Sequence, residues 1–82
     1  MDEVMAMIKN FIDGKADPVE FSVALPEKLI QNYDSMLKEN KAATDILNEE
    51  LPDICAEYEP GEDPAQFIKA VKKEYEAAVA AA

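Results

Sequence analysis

The side chains in this sequence that could do chemistry are carboxylates, and their spacing is regular. Asp45, Glu49, Asp53 and Glu57 recur every four residues, and Glu59, Glu62 and Asp63 follow directly. On a helix, residues four apart share a face. The first four therefore form an acidic stripe, which an acidic turn prolongs, with Glu50 beside it. From Ala42 to Ile68 the chain carries eight acids and no lysine, a local charge of −8. The remaining residues hold ten acids and eight lysines, so most of the net charge of −10 sits in one third of the chain. Like charges at i, i+4 destabilise a helix by a few tenths of a kcal/mol per pair. The first two acids lie toward the positive helix start, and the later ones approach the negative end. Such a stripe either holds a surface ready for a basic partner or is the solvated face of an acidic protein. The first reading assigns Asp45, Glu49, Asp53, Glu57, Glu59, Glu62 and Asp63 to partner binding.

Other reaction chemistry is poorly supplied. The chain has neither His nor Arg, which removes histidine bases, nucleophile–His pairs, His-ligated zinc and arginine clamps on phosphate. No nucleophile is paired with a base, so no catalytic residue is assigned. Cys55 falls on the apolar side of its segment and reads as a small hydrophobe. Around Gly14 a calcium loop fails, because Lys9 and Phe11 stand where its first two ligands belong. Carboxylates at i, i+4 without a shaped loop are a poor metal cage, so neither a metal nor a cofactor is expected. Asp34-Ser35-Met36 resembles the modification site of acyl carrier proteins. There the serine opens a largely apolar helix, whereas Ser35 is followed by Lys38, Glu39, Asn40 and Lys41.

Helices must position these groups, since no stretch alternates long enough to be a strand. Val4, Met5, Ile8, Phe11 and Ile12 mark one stripe, ended by Gly14. Asp17-Pro18-Val19-Glu20 is a capped start with proline at the first helical position. The helix it opens is expected to bury Phe21, Leu25, Leu29, Ile30, Tyr33, Met36 and Leu37 and to end near Asn40, with a kink or break at Pro26. A third helix, Ala42 to Tyr58, turns Ile46, Leu47, Leu51, Ile54, Cys55 and Tyr58 inward, with a kink or restart expected at Pro52. After the Glu59-Pro60-Gly61-Glu62 turn, Asp63-Pro64-Ala65-Gln66 opens a fourth helix burying Phe67, Ile68, Val71, Tyr75, Ala78 and Val79, and the alanines from Ala77 to Ala82 are expected to fray. Four amphipathic segments with short connections predict an all-α, antiparallel four-helix bundle, a single domain over residues 1–82.

Composition bounds the setting. At 82 residues only one core fits. No apolar run approaches the roughly 18 residues of a membrane span, and no signal peptide is evident, so no membrane partner is expected. A single cysteine cannot form an internal disulfide, which points to the cytoplasm. A pI near 4.2 argues against direct nucleic-acid binding, while 49% apolar residues argues against disorder.

Two segments together carry a resemblance. The first, Phe11-Ile12-Asp13-Gly14-Lys15-Ala16-Asp17-Pro18-Val19-Glu20-Phe21, is a helix end, a Gly-Lys turn and a capped start. The second, Leu51-Pro52-Asp53-Ile54-Cys55-Ala56-Glu57-Tyr58-Glu59-Pro60, leads into an acidic loop and a last helix with Phe67 and Val71. In that order the chain resembles the colicin D immunity-like family of bacterial self-protection proteins, and is similar to the contact-dependent growth inhibition immunity proteins of like fold. It departs from the family in having Glu57 where an Asp before the tyrosine is usual, and in a short loop before the last helix. The resemblance implies a cytoplasmic four-helix protein, not an enzyme, that binds a cognate toxin's C-terminal domain. Such domains are commonly basic nucleases, often tRNases, and the inhibitor occludes the active site with an acidic surface. Tyr58 and Pro60 would shape the turn. Two other readings are a carrier protein modified at Ser35 and a helical adaptor with no nuclease partner.

Overall fold

In the computed structural model, which describes residues 1–81, four helices follow one another: α1 (Asp2–Ile12), α2 (Pro18–Glu39), α3 (Lys41–Glu57) and α4 (Ala65–Ala81). No strand occurs among the described residues. Each helix packs against its neighbours around a ring: α1 on α2, α2 on α3, α3 on α4, and α4 back on α1. The backbones of the diagonal pairs α1–α3 and α2–α4 stay further apart among the described residues, although side chains reach across, as Phe21 does to Phe67. This is the four-helix bundle that the apolar periodicity predicts.

Local chemistry sets the helix ends. At the end of α1, Gly14 takes φ +80, the Lys15 amide donates to Asn10 O (2.8 Å) and the Gly14 amide to Phe11 O (3.1 Å). These are the paired bonds of a Schellman motif, and the left-handed residue at its centre must be glycine. Asp17 then accepts the Glu20 amide at 3.0 Å to cap α2, with Pro18 at the first helical position. A single extended residue, Asn40, separates α2 from α3. Its amide donates to Met36 O, its side chain accepts the Ala43 amide, and its carbonyl accepts both the Thr44 amide and the Thr44 hydroxyl. Thr44, buried completely, is thereby satisfied, and one residue suffices to reverse the chain.

The core is a continuous cluster running from Val4, Ile8 and Phe11 through Leu25, Leu29 and Met36 to Leu47, Leu51 and Val71. At one end of the bundle it becomes aromatic. Phe11 stacks on Phe21 with centroids 4.0 Å apart, and both rings lean on Phe67 at 4.9 and 5.9 Å. Such pairs add about 0.5–1.5 kcal/mol each beyond their buried area, so Phe67 links α4 to α1 and α2.

Several expectations are corrected. Of the kink or break expected at Pro26 and the kink or restart expected at Pro52, the break and the restart do not occur: α2 and α3 run on through both prolines. The residue before each proline, Leu25 and Leu51, is completely buried. Burial of about 1.5–3 kcal/mol per leucine offsets the roughly 3 kcal/mol that an internal proline costs. Ile30 and Val79, expected inside, are 77% and 50% exposed. Each sits beside a completely buried neighbour, Leu29 and Ala78, and one step along a helix turns the side chain by about 100°; at these two pairs the neighbour takes the inward place. α4 stays helical through Ala81 because Ala78 packs into the bundle; Ala82 lies outside the described residues. No helix among the described residues is long and apolar enough to cross a membrane.

Candidate functional site

The helix that carries the acidic stripe begins one residue earlier than expected. α3 opens at Lys41 rather than Ala42, and Lys41 Nζ lies 2.6 Å from Asp45 Oδ2. The Asp45 carboxylate, through its hydrogen bond and its charge, raises the Lys41 ammonium above its ordinary pKa. The first member of the stripe is thus relieved by a lysine that lies just outside the lysine-free stretch from Ala42 to Ile68. Asp45 is the fifth residue of α3, and the first turn contains no acid, so the helix start does little for it.

Glu49, Asp53 and Glu57 are exposed and have no hydrogen-bond or ion-pair partner among the described residues. The last turn of α3 contains no base. Glu57 ends the helix at its negative pole, where an anion is disfavoured. The unrelieved part of the stripe is thus its last three members, which lead to the α3–α4 corner.

That corner is a constructed turn. Tyr58 leaves the helix with extended backbone (φ −76, ψ 128). Its ring stacks on Phe67 at 4.6 Å and 17°, and its hydroxyl donates to Glu62 O at 3.3 Å. The Glu59 amide donates to Glu62 Oε1 (2.8 Å), and the Glu62 amide returns a bond to Glu59 O (3.1 Å). Gly61 sits between them at φ +95, a conformation that a side chain would strain. Asp63 Oδ1 accepts the Ala65 amide at 3.0 Å. α4 is helical from Ala65, one residue after the proline expected to open it. Two of the seven acids, Glu62 and Asp63, thus shape the turn as well as charging it.

Between the end of α3 and the start of α4 lies an open cleft of about 320 Å³. Glu57, Glu62 and Asp63 supply its carboxylates, and Ile54, Tyr58 and Phe67 supply apolar surface. An arrangement of this kind can take a cationic side chain by its charge and an apolar stem by contact. Comparison with known proteins gives no match: no protein-family model, curated protein or solved structure aligns with this chain.

The seven predicted residues therefore divide. Glu57, Glu62 and Asp63 share the cleft, and Glu59 lies on the same turn. Glu49 and Asp53 lead toward it along α3. Asp45 stands roughly 18 Å from Glu57 along the axis and is neutralised by Lys41. The apolar lining of the cleft was not foreseen. Ile54, Tyr58 and Phe67 read as core by periodicity, and only the turn geometry leaves one side of them open to the cleft. Also unforeseen is a change of sign beside it. Gln66 and Ala70 line the acidic cleft and a second depression that carries Lys69, Lys72 and Lys73. The side chains thus change from acidic to mainly basic across one face of α4, with Glu76 the one acid among the described residues lining the second depression.

The remaining candidates are placed simply. Cys55 is 3% exposed, and burial pushes its thiol up to about 12; it is a neutral core group, not a nucleophile. Ser35 is exposed on α2, four residues before the helix ends, and its hydroxyl donates to Asn32 O at 3.3 Å. No group of three or more carboxylate or thiol side chains among the described residues is arranged to hold a metal.

Proposed function

We propose that the chain is an immunity-type inhibitor: it neutralises a toxin domain, a basic nuclease such as a tRNase, by seating the α3–α4 corner in the active-site cleft. The carrying observation is the cleft itself, three carboxylates around Ile54, Tyr58 and Phe67. An enzyme that holds nucleic-acid phosphates needs a cationic groove. Carboxylates approaching it on a rigid helix and turn imitate those phosphates, and the aromatic and aliphatic surface beneath adds contacts that a nucleic acid backbone lacks. The unpaired Glu49 and Asp53 extend the negative field away from the corner and accelerate encounter, because opposite potentials raise association rates. The family resemblance of the sequence points the same way. On this reading the chain works in the bacterial cytoplasm, needs no cofactor, and acts by occlusion rather than catalysis.

The test is reversal of charge on α3. A chain carrying Asp53→Lys and Glu57→Lys, with an unchanged far-UV circular dichroism spectrum, is expected to lose both toxin binding and protection of cells expressing the toxin. Retention of both would remove the reading.

A further inference from the structure

A second surface lies on α2, which supplies no residue to the α3–α4 cleft. Val19, Val23, Pro26, Ile30, Tyr33 and Leu37 alternate at spacings of four and three along the helix. That is the heptad a/d pattern by which one helix seats against another. In this bundle the pattern does not face the core. Phe21, Leu25, Leu29 and Met36 form the buried side of α2. The heptad seam lies on another side: Val19, Val23 and Ile30 are 38, 69 and 77% exposed, and Pro26, Tyr33 and Leu37 are half-buried. A chain with a small core has exposed a 19-residue apolar seam, roughly 27 Å long. The position following each of Val19, Pro26 and Tyr33 is an acid, Glu20, Glu27 and Asp34. All three are exposed, and none is paired with a lysine among the described residues. Near the end of the seam, Ile30, Tyr33 and Asp34 border a groove of about 300 Å³ with Asn48 of α3 on its wall.

We infer that the outer edge of α2 docks an amphipathic helix of a partner protein, one whose apolar a/d edge is flanked by lysine or arginine. The charges choose this occupant. Flanking residues of a helix pair determine partner choice and orientation. A second copy of this chain laid antiparallel would set Glu20, Glu27 and Asp34 against their own counterparts. Laid parallel, it would need flank positions that α2 has already buried, Leu29 and Met36. An anionic lipid surface is repelled by the same three acids. A basic-flanked helix meets all of them, places its apolar residues on Val23 and Ile30, and reaches Asp34 across the groove. The inference does not depend on the toxin-binding reading, because none of the seam residues lines the α3–α4 cleft.

The experiment uses the full chain and synthetic helical peptides of about three heptads. One has leucine at a and d with lysine flanks, the second the same leucines with glutamate flanks, and the third the lysines with serine at a and d. Binding is followed by amide chemical-shift changes and titration. The leucine–lysine peptide is expected to bind at least about tenfold more tightly than either control, a difference of about 1.4 kcal/mol, and to move amides between Val19 and Leu37. Val23→Asp and Ile30→Asp, both at exposed positions and checked by circular dichroism, should each abolish that preference. The triple variant Glu20→Lys, Glu27→Lys, Asp34→Lys should transfer it to the glutamate-flanked peptide. Equal binding of the serine control, shifts confined to the α3–α4 corner, or a dimer of the free chain that Ile30→Asp dissolves would each overturn the inference.

Discussion

If the end of α3 is shaped for a partner rather than for the fold, Glu57→Lys should make the free protein more stable while weakening its inhibition. Glu57 is exposed, unpaired and last in α3, with Asp53 one turn before it and no base in the final turn. The substitution removes one i, i+4 repulsion and creates an acid-to-lysine pair in the favourable orientation, each worth about 0.2–0.5 kcal/mol. It also exchanges an anion for a cation at the negative helix end, worth about 0.3–1 kcal/mol for each sign. With solvent screening taken into account, a net gain of about 1 kcal/mol is expected, or roughly 4–8 °C in Tm for a domain of this size. Thermal denaturation at low salt, repeated near 1 M salt where the Debye length falls to about 3 Å, measures it. The gain should shrink in the high-salt series. A Tm that is unchanged or lower at low salt would refute the reasoning, because the acidic stripe would then cost the fold nothing. The same variant assayed against the toxin domain should bind more weakly, and stability and binding moving in opposite directions is the signature of a functional charge.

Other outcomes follow from the same geometry. Replacing Lys72 and Lys73 by Glu should raise the toxin association rate and steepen its dependence on salt, measured by stopped flow, since the cationic patch beside the cleft opposes the field of the acids. Leu51→Ala, at a completely buried position, should cost about 2–5 kcal/mol in urea denaturation, much of the roughly 4–12 kcal/mol available to a chain of this length. Cys55 has its thiol pKa raised in the fold from 9.0 to about 12. Its contribution is therefore complete below pH 9.0 and is lost as the pH rises toward 12, so Cys55→Val should show a shallower loss of stability across that window in parallel denaturation series. Incubation with a phosphopantetheinyl transferase and coenzyme A should leave the mass unchanged, because Ser35 lies near the end of a helix and not at the opening of one.

The arrangement of helices is legible in the sequence because its signals are local. Gly14, the Asp17-Pro18 pair and the Asn40 reversal each act within five residues, and the structure puts helix ends at or beside every one of them. What fails is non-local or sits at the limit of one residue. A proline's local penalty predicts a kink or a break at Pro26 and Pro52, and the break does not occur; the burial of Leu25 and Leu51, which holds the helices together, depends on neighbours distant in the chain. Ile30 beside Leu29 and Val79 beside Ala78 are pairs that composition alone cannot order. The start of α3 at Lys41 is an error of one residue, yet it decides that Asp45 is neutralised while Glu57 is not. The acids of the corner were visible by type. The cleft was not, because it requires the Tyr58 ring to meet Phe67 across a turn, with Glu62 bonded back to Glu59.

That turn also bears on why the acids are placed where they are. A side chain that serves only solubility needs no fixed position. Glu62 is held by its bond to the Glu59 amide and by the Tyr58 hydroxyl on its carbonyl, and Asp63 by its bond to the Ala65 amide. Tyr58 is in turn held by Phe67, which packs against Phe11 and Phe21. The negative corner is thus tied through one aromatic chain to the core formed by α1, α2 and α4. Carboxylates anchored in this way lose little freedom when a partner binds, and preorganisation of that kind lowers the entropic cost of association. The free carboxylates of α3 are different: exposed and unpaired, they repel one another and extend the negative field along the helix. On the proposed reading, steering by Glu49 and Asp53 and docking by the anchored Glu62 and Asp63 should be separable. Salt should act mainly on the contribution of Glu49 and Asp53 to the association rate, whereas Tyr58→Ala, which unties the corner, should act mainly on dissociation.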